Sequence, residues 1–251
     1  MHWVIQQSLF KPENYRLLTD ALDNLEIEYT PIFIPSGTLD LQPEVNLSGN
    51  FYVCGAIKLR KIAEERTWFP GSFLNDNFSF DIWNAELGNE LLNFGALYGK
   101  FNDIQIDNMS KFFIRPLEDN KAFDGMVIDK EMLKSLRKDP TKKYLGELDV
   151  IVSPTKEIYR EYRLFVVKNT VVTGSVYKVA GKPQVSGNVE KDVVDYVNTI
   201  INKWIPSESF VIDVSLTEDG YKVIEFNNIN SSGFYASNVP KYVEAIQLAY
   251  G

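Results

Sequence analysis

The chain has 251 residues, 45% of them hydrophobic and 24% charged, enough for one large domain or two to three small lobes and unlike a disordered polymer. A formal net charge of -8 argues against a partner chosen by bulk electrostatics, such as duplex nucleic acid or an anionic membrane. A single cysteine, Cys54, and a single histidine, His2, exclude an internal disulfide, a serine–histidine triad, a cysteine–histidine pair and a Cys/His zinc site.

Any chemistry then falls to carboxylates, Lys, Arg, Tyr, backbone dipoles and an oxygen-binding cation. The opening "MHWVIQQSLFKPENY" has neither a basic leader nor a long apolar run, so no secretory signal is expected. No stretch approaches ~18 continuous apolar residues, so no membrane span is expected and a cytoplasmic protein is the simplest reading.

"HWVIQQ" reads as a strand. "PENYRLLTDALDNL" has helical spacing of Tyr15, Leu18, Leu22 and Leu25, with Pro12 suited to a first turn. "EYTPIFIP" and "GNFYVCG" are further strands, the second running through Gly55 into the helix "AIKLRKIAEER". Strand–helix alternation of this kind predicts a small open α/β lobe over residues 1–75. Residues 68–83, "WFPGSFLNDNFSFDIW", are rich in aromatics and read as a connecting segment packed onto the body.

A second part, residues 76–152, holds a predicted helix "NAELGNELLNFGAL", a strand "KFFIRPL", a strand-to-helix passage "GMVIDKEMLKSLRKD" and a strand "YLGELDVIVSP". The third, residues 153–251, reads as hairpin, helix, hairpin, helix: an antiparallel sheet with helices laid on one face.

The last hairpin carries the chemistry. Its turn "EDG" fits a three-residue loop closed by Gly220, which sets Thr217 opposite Tyr221 and Asp213 opposite Glu225, with Asn227 on the same face. Phe210, Ile212, Val214, Leu216, Ile224 and Phe226 line the other face. Opposed carboxylates sit roughly 5 Å apart and repel. Mg2+ resolves the conflict, since it favours one or two carboxylates plus phosphate oxygens, and Asn227 adds a neutral oxygen. The plain alternative is a solvated polar face.

Two other segments weigh against that alternative. "FFIRPLEDNKAFDG" sets Arg115 at a strand end before a polar loop with Lys121, a build that suits polyphosphate. "IYREYRLFVV" puts Glu161 and Arg163 on one strand face, and the partner strand ends in Tyr177 and Lys178. The turn Lys168–Thr170 leaves open which residue faces Arg163. Together these segments form the charge plan of a nucleoside triphosphate gripped between two β-rich lobes.

At this point the chain resembles an ATP-grasp protein, the superfamily of carboxylate–amine ligases, over about residues 112–251. Asp213 and "EFN" (Glu225, Asn227) match the family's metal acid and E-x-N motif in order and spacing. The resemblance implies an ATP-grasp fold: a small N-terminal α/β lobe, then two β-rich subdomains. It implies ATP and Mg2+ as cofactors, with Asp213, Glu225 and Asn227 on the metal. Phosphates would meet Arg115, Lys121 and Arg163, with Lys178 a fourth cation and Arg163 at the transferred phosphoryl group.

It further implies adenine at the backbone of Val150, Ile151 and Val152, and acceptor contacts from Ser231, Ser232 and Gly233. The family's usual Lys-Pro is Arg115–Pro116 here, as in an Arg/Lys-variant clade of phage and bacteria. The implied reaction joins a small-molecule or peptide carboxylate to an amine. A nucleotide-binding module without ligase chemistry and a nucleic-acid-modifying enzyme, drawing on Lys58, Arg60 and Lys61, are the alternatives.

Overall fold

Strands β1 (His2–Gln6), β2 (Tyr29–Ile32), β3 (Phe51–Cys54) and β4 (Pro70–Gly71) run parallel in the order β2-β1-β3-β4. Their crossovers include α1 (Pro12–Asn24), which starts on the proline as its fixed φ favours, and α2 (Ile57–Glu65). β1 and β3 are largely apolar and buried, as strands covered on both faces must be. The computed structural model describes residues 1–8, 11–106, 108–117 and 122–251.

The chain divides into two compact units, Met1–Phe78 with Ile158–Gly251, and Ser79–Glu157. In the second unit, β5 (Leu97–Lys100), β6 (Lys111–Pro116), β7 (Met126–Asp129) and β8 (Asp149–Pro154) form an antiparallel sheet ordered β5-β8-β6-β7. The unit also holds α3 (Phe80–Leu87) and α4 (Lys130–Lys138), the latter capped by Asp129 Oδ1 accepting from Met132 N–H at 2.8 Å.

The helix expected over residues 84–97 differs from what forms. α3 begins earlier, inside the aromatic connecting segment, and stops where Gly88 turns to φ 58. A 3-10 turn (Gly88–Glu90) follows, and Leu97 already belongs to a strand.

The first unit's larger sheet is built from β9 (Ile158–Val167), β10 (Thr170–Val179), β11 (Lys182–Ser186), β12 (Ser209–Thr217) and β13 (Gly220–Asn227), ordered β11-β10-β9-β12-β13 and antiparallel throughout. Helices α5 (Lys191–Lys203) and α6 (Val239–Tyr250) cover opposite faces, not one. Tyr162 and Tyr196 of α5 both meet Tyr221, at 6.1 and 5.6 Å, whereas Phe165, three strand residues from Tyr162, meets Tyr242 of α6 at 5.4 Å. Strand residues three apart point to opposite sides.

The α6 face joins the parallel sheet in one core. Trp3, Ile5, Tyr52 and Cys54 pack in the same cluster as Phe165, Val211, Tyr242 and Ile246. Among the described residues no helix is long and apolar enough to cross a membrane.

Candidate active site

Charged and polar side chains collect on the α6-facing side of the larger sheet, beyond its apolar cluster. Asp213 of β12 lies opposite Glu225 of β13 on one side and Arg163 of β9 on the other. Asn227 Nδ2 donates to Glu225 Oε1 at 3.2 Å and more weakly to Asp213 Oδ2 at 3.4 Å. The structure thus brings Asp213, Glu225 and Asn227 together on one face.

It does so by a different register from the one expected. The loop is two residues long, because Thr217 pairs with Gly220, Leu216 with Tyr221 and Val214 with Val223. Gly220 takes φ 86 and Thr217 Oγ1 ties the turn, donating to Gly220 O at 2.9 Å and accepting from Asp219 N–H at 3.2 Å. That register alone would throw Glu225 to the wrong face. A bulge at Ile224 absorbs one residue, and Asp213 opposes Glu225 after all. Val223, not Ile224, fills the buried apolar face with Val214.

Arg163 holds Asp213 in a fork: Nε–H to Oδ1 at 2.8 Å and Nη2–H to Oδ2 at 2.7 Å. Asp213 is buried and Arg163 largely so, their side chains 3% and 13% exposed, so an unpaired Asp213 carboxylate would be costly there. Burial by itself would lower the pKa of Arg163, but Asp213 outweighs it and the guanidinium is held above its ordinary value. The acid's negative charge is therefore met by a side chain, where the sequence alone assigned that task to a cation.

Two tyrosines that the sequence leaves without a role complete this corner. The Arg163 guanidinium carbon lies 5.1 Å from the ring centre of Tyr235 and 6.0 Å from that of Tyr177, and the rings stack at 4.9 Å. Tyr177 sits in a bulge of β10, between Val176 and Lys178, so strand alternation does not reveal its direction. Burial first, then Asp213 and Glu161, push its pKa up, and the phenol stays protonated. Opposite Arg163 stands Ser175: Lys168 and Asn169 make a two-residue turn at φ 46 and 63, and a bulge at Val172 then shifts the pairing by one residue. Glu161 pairs with Lys178 at 3.0 Å.

After β13 the chain is fastened by Asn230, which is 1% exposed. Its Oδ1 accepts from Phe73 N–H at 2.9 Å, its Nδ2 donates to Val53 O at 2.7 Å, and its carbonyl accepts from Gly55 N–H at 3.0 Å. This fixes the loop of Ser231, Ser232 and Gly233 to the C-terminal edge of the parallel sheet. Ser232 Oγ donates to Asn228 O at 2.8 Å, and Gly233 O accepts from Arg163 Nη1–H at 3.4 Å. Ser231 Oγ stands 3.5 Å from the same Asn228 carbonyl.

In the second unit Arg115 lies on β6 opposite Ile151, with its guanidinium 5.5 Å from the Phe80 ring centre. Val150, Ile151 and Val152 lie on an interior strand, flanked by β5 and β6, so their main chain is committed to the sheet. β5 reaches only to Val152, and Ser153 and Pro154 pair with β6 alone. Main chain paired on one side only therefore begins after Val152. Lys121 lies outside the described residues.

Among the described residues no group of three or more His, Cys, Asp and Glu side chains is placed to hold a metal. The candidate set is instead two carboxylates and a carboxamide: Asn227 meets both acids through its NH2 group, and with its Oδ1 turned inward the three would present the oxygen donors that suit a hard cation such as Mg2+.

Residues 98–245 match the family model of the ATP-grasp domain, R-2-K clade family 2. A comparison with curated proteins finds no match. The ATP-grasp ligase PsnB complexed with minimal precursor is similar to this chain with a TM-score of 0.64, at 12% identity over 98% of each chain. A D-alanine–D-alanine ligase from Bacillus anthracis complexed with ATP gives 0.68, at 13% identity over 98% of this chain and 92% of that one. The D-cycloserine synthetase DcsG gives 0.58, at 11% identity over 98% and 99%. At such identities the likeness is one of fold.

Proposed function

The chain belongs to the ATP-grasp superfamily, in family 2 of its R-2-K clade, and from that premise we propose an ATP- and Mg2+-dependent ligase that joins a carboxylate to an amine. The observation that carries this reading is the Asp213–Glu225–Asn227 set with Arg163 beside it, on adjacent strands of one sheet.

In the proposed reaction a substrate carboxylate oxygen attacks the γ-phosphorus of ATP while the bridging P–O bond breaks and ADP leaves. The amine then attacks the acyl phosphate carbon, inorganic phosphate departs with the C–O bond, and the amine's proton is lost to solvent. The scarcity of His and Cys is no obstacle, because the work is alignment and charge neutralisation. When bound, Mg2+ would neutralise phosphate oxygens, held by Asp213, Glu225 and Asn227.

Arg163, largely buried and held charged beside Asp213, is the proposed partner of the transferred phosphoryl group. Arg115 and Lys121 are assigned to the remaining phosphates and Lys178 to a weaker supporting role, since Glu161 already neutralises it. Glu161 thus acts through Lys178. Adenine, which the resemblance assigns to the main chain of Val150, Ile151 and Val152, is proposed instead to meet the main chain of residues 153–157, because the interior stretch is paired on both sides. Ser231, Ser232 and Gly233 are the proposed acceptor-side loop. Among similar structures, one ligase is complexed with ATP and another with a minimal precursor, which supports a nucleotide and a small or peptide substrate here.

The test is ADP release across a panel of carboxylates and amines, with hydroxylamine present to trap acyl phosphate as a hydroxamate. Substrate-dependent ADP and hydroxamate are expected. Tight ATP binding with no turnover for any pair would favour a nucleotide-binding module.

A further inference from the structure

The Arg163 guanidinium gives Asp213 the two parallel N–H groups that would also suit a phosphate. Both Asp213 oxygens are thereby engaged, and the carboxylate is 3% exposed. Tyr235 and Tyr177 stack beside the guanidinium at 5.1 and 6.0 Å, which narrows the positions it can take. Any cation bound by Asp213 must share the carboxylate with a buried positive charge or displace it. Two carboxylates and one guanidinium leave the cluster one net negative charge, which is little to hold a dehydrated divalent ion. A triphosphate changes both terms, since it brings further negative charge and offers the guanidinium another acceptor pair.

We infer that Arg163 is an internal counter-cation: it keeps Asp213, Glu225 and Asn227 from taking a divalent cation until nucleotide phosphate draws the guanidinium away, so cation and nucleotide enter together. This rests on the reading of that set as a cation site. Arg163 therefore has two successive partners, Asp213 and then phosphate.

Mn2+ binding followed by electron paramagnetic resonance, with and without β,γ-methylene ATP, tests the exchange in wild type, Arg163→Met and Arg163→Lys. Wild type should bind Mn2+ weakly alone and more tightly with the analogue. Arg163→Met should bind Mn2+ alone roughly tenfold or more tighter than wild type, the usual scale of a charge-assisted pair, and gain less from the analogue. Arg163→Lys, which keeps a cation but loses the fork and guards against a folding defect, should fall between. An Arg163→Met protein that folds only when Mn2+ is added reports the same exchange.

Wild type that binds Mn2+ equally well with and without analogue overturns the inference. So do variants that match wild type without it, and in both cases the cation site itself stands. If wild type takes up no Mn2+ under either condition, the functional reading fails and the inference fails with it.

Discussion

At Asp213 and Arg163 two buried charges survive because each is the other's hydrogen-bonding partner, at 2.8 and 2.7 Å. Such a pair stabilises little against an apolar replacement, but breaking it strands a charge. Asp213→Ala is expected to lower unfolding free energy by about 3–5 kcal/mol in denaturant titration. The double variant Asp213→Leu/Arg163→Met should lose less than that single change. If the double variant lost the sum of both singles, the pair would not be coupled as described. Asn230 is a second residue of this kind: Asn230→Ala leaves Phe73 N–H and Val53 O without their partner and should cost roughly 2–4 kcal/mol by the same measurement.

Between β12 and β13 two local devices cancel, the two-residue turn and the bulge at Ile224. The pairing of Asp213 with Glu225 was legible from the sequence because an acid–apolar alternation on both strands demands it. The route to it was not, since Val223 and Ile224 are both apolar and either can face the core. Tyr177 escaped assignment for a related reason, its bulge breaking the alternation that places a side chain. Strand edges were equally hidden: "DVIVSP" announces a strand, but only the pairing with both β5 and β6 shows that its main chain is occupied through Val152. The turn offers a clean check. Gly220→Ala forces a Cβ onto φ 86 and is expected to cost about 1–2 kcal/mol in thermal unfolding while leaving the Asp213–Glu225 pairing, and so ATP turnover, in place.

At the scale of the whole chain, the N-terminal parallel sheet and the C-terminal antiparallel sheet share one core through α6. Tyr52 and Tyr242, far apart in sequence, are joined by a buried hydroxyl pair at 2.7 Å. Periodicity in the sequence marks individual strands and helices, but no local pattern says which sheets share an interior. Tyr242→Ala should cost about 3–5 kcal/mol, read by near-ultraviolet circular dichroism, where the surrounding aromatic cluster reports.

The central claim is that oxygen-bearing side chains on β12 and β13 hold the cation that ATP chemistry needs. Mg2+-dependent ADP release by wild type and Glu225→Ala, both folded and compared at saturating ATP with an active acid–amine pair, tests it most directly. A loss of about a hundredfold or more in Glu225→Ala is expected, and turnover by that variant at the wild-type rate would contradict the account.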